Sequence, residues 1–306
     1  MLAYVLRRLL WIAITLWGVS LLTFGLIFTG PADPAQALSG EKASAASIAL
    51  MRSRLGLDRP VYRQYLTYMG DLVRGDLGES YYFNRPVREA LLERFPATAL
   101  LAVAIFVFAV AIGVPLGVVT ALRNGGVLDR LLTIGGLLTI SMPSFFFGIL
   151  LLYCFAFRLK WFPVGGYGSL DHVVLPALTV ALPWGAWYGI VLRSNMLDVL
   201  SHDYARTAAA KGLRQSTIAW RHLLPNALLS VITMLGMDFA VLLSGLALVE
   251  YIFSWPGIGW QALQAAQRFD VPMIMGSVIL GALLIGSANL IVDLIYTRLD
   301  PRVRLG

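Results

Sequence analysis

Charge is scarce in this sequence and cysteine almost missing. Of 306 residues only 13 % are Asp, Glu, Lys or Arg, one is cysteine and three are histidine. The single Cys154 sits in an apolar run, which excludes an internal disulfide and a cysteine-rich metal cluster. No Gly-x-x-x-x-Gly-Lys-Ser/Thr loop occurs, so the chain has no phosphate cradle of that kind with which to bind and hydrolyse ATP. His172, His202 and His222 fall in or at the edges of loops. No His-Glu-x-x-His is present, and no serine, histidine and carboxylate set lies within the apolar runs, so the sequence predicts neither a metal site nor an enzyme. What is abundant is apolar surface: 58 % of residues are hydrophobic and the mean hydropathy is +0.75, which places the chain in a bilayer.

A membrane-crossing helix needs about 20 mostly apolar residues, because its backbone must satisfy its own hydrogen bonds across the hydrocarbon. Six stretches meet that length: residues 9–28, 97–122, 131–157, 173–192, 227–249 and 271–292, with a single charge among them, Asp238. Six crossings put both termini on one side. Twelve Lys and Arg residues flank the spans on that side, against three (Arg158, Lys160, Arg268) in the opposite short loops, so both termini are expected in the cytoplasm. The net charge of +7 therefore reports topology, and no nucleic-acid partner is expected. Arg7, Arg8, the first apolar run and Ala35-Gln36-Ala37 imitate a secretory signal, but the run is long and the small residues lie well beyond it, so the first helix is expected to be retained.

The predicted organisation is a first membrane helix over residues 1–30, an external segment over 31–95, a five-helix core over 96–300 and a cytoplasmic tail over 301–306. In the external segment Val61, Tyr65, Tyr68, Met69 and Leu72 recur at helical spacing behind Pro60. A segment of this size without disulfides is expected to rest that stripe on the outer ends of the spans. It serves either as a structural cap or as a surface met by a partner.

Between the fourth and fifth spans, residues 194–226 form a loop far longer than a bare connection requires. Ser201 and Asp203 are candidate helix starts, and Ala205, Ala208 and Ala209 form a small-residue patch. Gly212 is suited to a positive-φ helix end, and a second short helix over 215–224 is expected to stop before Pro225. Such a helix–glycine–helix unit either seats as a rigid knob in a groove on another protein or lies on the inner leaflet, its Lys211, Arg214 and Arg221 drawn to lipid headgroups.

The run Asp203 to Gly212, followed by His222-Leu223-Leu224-Pro225, resembles the EAA loop of ABC importer permeases. Arg206-Thr207-Ala208 takes the place of Glu-Ala-Ala, Gly212 that of the glycine, His222 that of an isoleucine, and Leu224-Pro225 closes the motif at the family's spacing. Further stretches are similar to the dipeptide, oligopeptide and nickel branch: Leu55 to Pro60, Gly75-Asp76-Leu77-Gly78, Ser141-Met142-Pro143-Ser144-Phe145, Val249-Glu250 with Phe253 to Gly259, and Asp293 through Arg302. The resemblance implies an all-α permease of type I architecture in a bacterial or archaeal cytoplasmic membrane, importing peptides, with nickel or glutathione as alternatives. It also implies a second related permease, making a heterodimer, with two cytoplasmic ATPases that bind ATP and Mg, and an external substrate-binding protein. An ion-gradient-driven carrier is the competing class, and it normally needs more spans and coupling-ion sites.

Polar positions along the spans are the candidate path. Asp238, near the middle of the fifth span, either lines the route and attracts a cationic group or joins helices as a hydrogen-bonded carboxyl. Glu250 opens a stretch expected to bend back toward the outer surface as a gate or an anchor, and Ser141 and Pro143 mark a second candidate gate. Gly113 with Gly117, and Gly185 with Gly189, have the spacing that lets helices approach closely.

Overall fold

The computed structural model describes residues 2–29, 34–39, 43–54, 56–203, 207 and 210–299. Helices carry the fold: α1 Leu2–Thr29, α2 Pro34–Ser39, α3 Ala45–Arg54, α4 Val61–Val73, α5 Val87–Leu122, α6 Val127–Ser141 and α7 Ser144–Leu151, the last widening into a π-helical stretch Leu152–Arg158. α8 Leu170–Leu200 follows, then α9 Gln215–Ile218, a π-helical turn Ala219–Leu223, α10 Leu224–Leu243, α11 Ala247–Ile252, α12 Ile258–Gln267 and α13 Val271–Leu299. Among the described residues, five helices are long and apolar enough to cross a membrane, or six if the bent pair α6–α7 counts as one crossing.

That pair replaces the straight span expected over 131–157. The two halves meet at 107°, because Met142 is extended (φ −84°, ψ 135°) ahead of Pro143, whose ring disfavours a helical residue before it. The fifth expected span is also interrupted: α10 ends at Leu243, and Gly245 turns the chain at φ +97° where a Cβ would lie 2.6 Å from the Gly259 amide nitrogen. The fourth outruns its expected end at residue 192 by two turns, to Leu200.

The described chain divides into two compact units. In the first, made of Met1–Thr98, Ala240–Tyr251 and Pro256–Gly306, α1 lies along α13, where Gly286 leaves room for Ile12, and Asp293 receives Tyr4 Oη at 2.9 Å and pairs with Arg8. Tyr65 and Tyr68 of α4 pack on Phe24 of α1, with Val271 and Met275 completing the cluster. Burial pushes the Tyr68 hydroxyl up to about 12. Asp270 caps the start of α13 and gathers Ser80 Oγ (2.5 Å) with the Tyr81 and Tyr82 amides.

In the second unit, Ala99–Phe239 with Ile252–Trp255, α8 is the central element, and 61 % of its apolar stretch is buried. The two glycine pairs face each other across the α5–α8 contact. A Cβ on Gly113 would lie 2.7 Å from the Gly185 carbonyl oxygen, and one on Gly117 2.8 Å from that of Gly189. Backbones this close require hydrogen as the side chain.

Candidate functional site

The expected coupling segment begins where α8 stops. Ser201 closes that helix rather than opening the next: its backbone is helical and its hydroxyl donates back to the Asp198 carbonyl oxygen at 2.7 Å. Asp203 is exposed and its carbonyl accepts the Thr207 hydroxyl at 2.8 Å. Ala205, Arg206 and Ala208 lie outside the described residues. Gly212 adopts φ +75° after Lys211, whose amide donates to the Thr207 carbonyl, so the glycine ends a helical turn as its type requires.

Beyond Gly212 the structure corrects the sequence reading. The expected stop before Pro225 does not occur: α9, the π turn and α10 run on as one helical path through Leu224 and Pro225. Proline has no N–H and its ring crowds the carbonyl four residues back, and the widened turn Ala219–Leu223 immediately ahead absorbs both defects. His222 sits in that turn and its carbonyl accepts the Asn226 side-chain Nδ2 at 3.0 Å.

The segment has one anchored end and one bare end. Ile218, Ala219 and Leu223 are buried, and Ile218 and Leu223 close a cavity of about 70 Å³ with Ala121, Leu122, Met196, Leu197 and Leu200. Thr207, Ala210, Lys211, Gly212, Leu213 and Arg214 are exposed. An exposed tip on a buried root can take a push at one end and deliver it to the helices at the other.

Asp238 is half-buried in α10 and accepts a hydrogen bond from Tyr188 Oη of α8 at 2.7 Å. Tyr188 was not among the residues the sequence marked out, and a lone mid-span tyrosine was its only signal. Ser141 and Pro143 share the α6–α7 bend, both exposed, and Ser141 Oγ donates to the Leu137 carbonyl at 2.8 Å.

Glu250 has no exposed surface. Its carboxylate accepts Thr98 Oγ1 at 3.0 Å, the Trp260 amide at 2.7 Å and the Leu246 amide at 3.5 Å, while Thr98 Oγ1 itself accepts the Ile258 amide at 2.8 Å. A Cβ on Gly257 would fall 2.5 Å from the carboxylate and one on Gly259 3.0 Å from it, so both glycines are there to let it in. Burial pushes this carboxyl above its ordinary value, with the donated hydrogen bonds pulling the other way.

A polar cluster the sequence did not single out lies in the C-terminal part of α8, ahead of the expected coupling segment. Arg193 grips Asp129 of α6 with Nε and Nη2, both at 2.8 Å, and Nη2 also reaches Asn124 at 2.7 Å. Two residues on, Asn195 Nδ2 donates to the Ala227 carbonyl (3.2 Å) and to Ser230 Oγ (2.6 Å) of α10.

Known proteins match nearly the whole chain. Residues 113–305 match the binding-protein-dependent transport system inner membrane component, and residues 1–102 its N-terminal companion. The glutathione transport system permease protein GsiC of Escherichia coli strain K12 is 38 % identical over 304 residues, 99 % of each chain, and so is its namesake from Shigella dysenteriae serotype 1. Among solved structures, an inward-facing MetNI methionine ABC transporter chain superposes with TM-score 0.59 at 16 % identity, covering 69 % of this chain and 96 % of that one.

Proposed function

The chain belongs to the family of binding-protein-dependent transport system inner membrane components, and from that premise we propose that its cargo is a short peptide, with glutathione, itself a tripeptide, in the same class. It is the inner-membrane permease of an ABC importer, with the type I importer fold, and family membership replaces the ion-coupled carrier reading. As a binding-protein-dependent permease it works with an ATPase and a substrate-binding protein. The finer arrangement we propose is a heterodimer with a second permease, two ATPases holding ATP and Mg, and a tip around Gly212 that seats in the ATPase surface. Supporting the cargo reading is the 38 % identity over 99 % of the chain to permeases named for glutathione transport. Uptake into vesicles holding the complete importer tests it: labelled glutathione or dipeptide should accumulate with ATP, and each should be displaced by excess unlabelled short peptide. Accumulation of nickel but of neither peptide would overturn it.

Within that reading Asp238 contributes a negative wall to the route, held in place by the Tyr188 hydroxyl. Asp238→Asn should lower import of peptides with a free amino terminus several-fold and leave N-acetylated peptides little changed. Equal rates for both classes in wild type and variant would remove Asp238 from the route.

A further inference from the structure

Arg193 and Asn195 stand two positions apart on α8, and at about 100° per residue they project in nearly opposite directions. Each is used. Arg193 reaches Asp129 on α6 and Asn124 in the preceding turn, whereas Asn195 reaches Ala227 and Ser230 on α10. Asp129 is almost wholly buried and also accepts the Gly125 amide at 2.9 Å, so the 123–126 turn is drawn into the same network. α8 enters the coupling segment and α10 leaves it, through the buried root formed by Ile218 and Leu223.

We propose that Arg193 and Asn195 are positioning residues that clamp α6, α8 and α10 into a single lever, so that a displacement of the coupling segment moves all three helices together. A two-pronged guanidinium–carboxylate pair fixes orientation as well as distance, which a single point contact does not. The Asn195 bonds add a second clamp on the opposite side of α8, so rotation of α8 between its neighbours is blocked from both sides. This rests on the proposed seating of the segment on the ATPase.

The test uses the complete transporter in lipid with Cys154→Ala, and spin labels at Arg130 on α6 and Asn226 on α10. In the otherwise unaltered chain the inter-label distance should stay single and narrow with and without ATP. In Arg193→Gln and in Asn195→Ala it should broaden and shift when ATP is added, and the ATP consumed per glutathione or dipeptide imported should rise about fivefold or more. Arg193→Lys, which keeps the charge and loses the fork, should fall between. The proposal is overturned if the variants assemble with ATPase and keep the unaltered distance and consumption ratio. Loss of assembly in Arg193→Gln, Arg193→Lys and Asn195→Ala alike assigns these residues to folding only and overturns it too. If instead the unaltered chain shows no ATPase association through the segment, the coupling reading itself fails, a result distinguishable because it appears without any substitution.

Discussion

Glu250 shows how much a single buried residue can dictate about its neighbours. A carboxylate with no exposed surface is costly unless donors surround it, and here Thr98, Leu246, Trp260 and the Gly259 backbone supply them. The donors reach it only because positions 257 and 259 lack side chains. The Gly257-Ile258-Gly259 stretch is therefore the lining of a carboxylate cradle, and we propose that Glu250 serves transport by holding this turn in shape. Glu250→Ala should strand the Trp260 and Leu246 amides and cost about 1–3 kcal/mol. Gly257→Ala, where the added methyl meets the carboxylate, should cost a similar about 1–3 kcal/mol. Thermal unfolding of the purified chain in detergent reads both, and unchanged midpoints in the two variants would refute the cradle. The motif was legible in the sequence, but Thr98, 152 residues away, was not, because no local pattern announces a partner that only the folded chain brings near.

Among the elements, hydropathy located the apolar runs and missed what the backbone does inside them. The straight span over 131–157 looked continuous because Met142 and Pro143 scarcely alter an apolar average, although proline geometry dictates the 107° bend. α8 looked too short because Arg193, Asn195 and Asp198 are polar, and two of these meet partners on neighbouring helices that the sequence could not name. Pro225 marks a helix stop by its residue type, yet a π turn lets the helix carry it. The glycine pairs were visible as a spacing but not as an address; the fold mates Gly113 with Gly185 and Gly117 with Gly189. This yields a contrast between two helical glycines, one in α5 and one in α6. Gly117→Ala would drive a methyl to 2.8 Å from both the Gly189 carbonyl oxygen and Leu192 Cβ and should cost about 1–3 kcal/mol. Gly135→Ala, with nothing within 4 Å, should be neutral or stabilise by about 0.5–1 kcal/mol through helix propensity. Unfolding midpoints that move alike in both variants would contradict the seam.

At the scale of the whole molecule, the chain is the membrane component of a binding-protein-dependent transporter that works with a separate ATPase, so work enters the permease through a surface. ATP binding to a partner biases a two-state equilibrium here only if the partner holds one state better than the other, which requires a rigid point of contact. The exposed Thr207, Ala210, Lys211, Gly212, Leu213 and Arg214 on their buried root fit that requirement, and Gly212 turns the chain among them. Gly212→Val isolates that shape, because open space surrounds the position and no packing is disturbed, while φ +75° is a conformation a β-branched residue resists. The variant should insert and unfold like the unaltered chain, yet retain less ATPase on co-purification and import several-fold less substrate at saturating binding protein and ATP. Gly212→Asn, which tolerates positive φ, should recover most of both. If the valine variant imports at the full rate with ATPase bound as before, the tip is not where the push enters, and the exposed face of this segment must then be explained by contact with lipid headgroups through Lys211, Arg214 and Arg221.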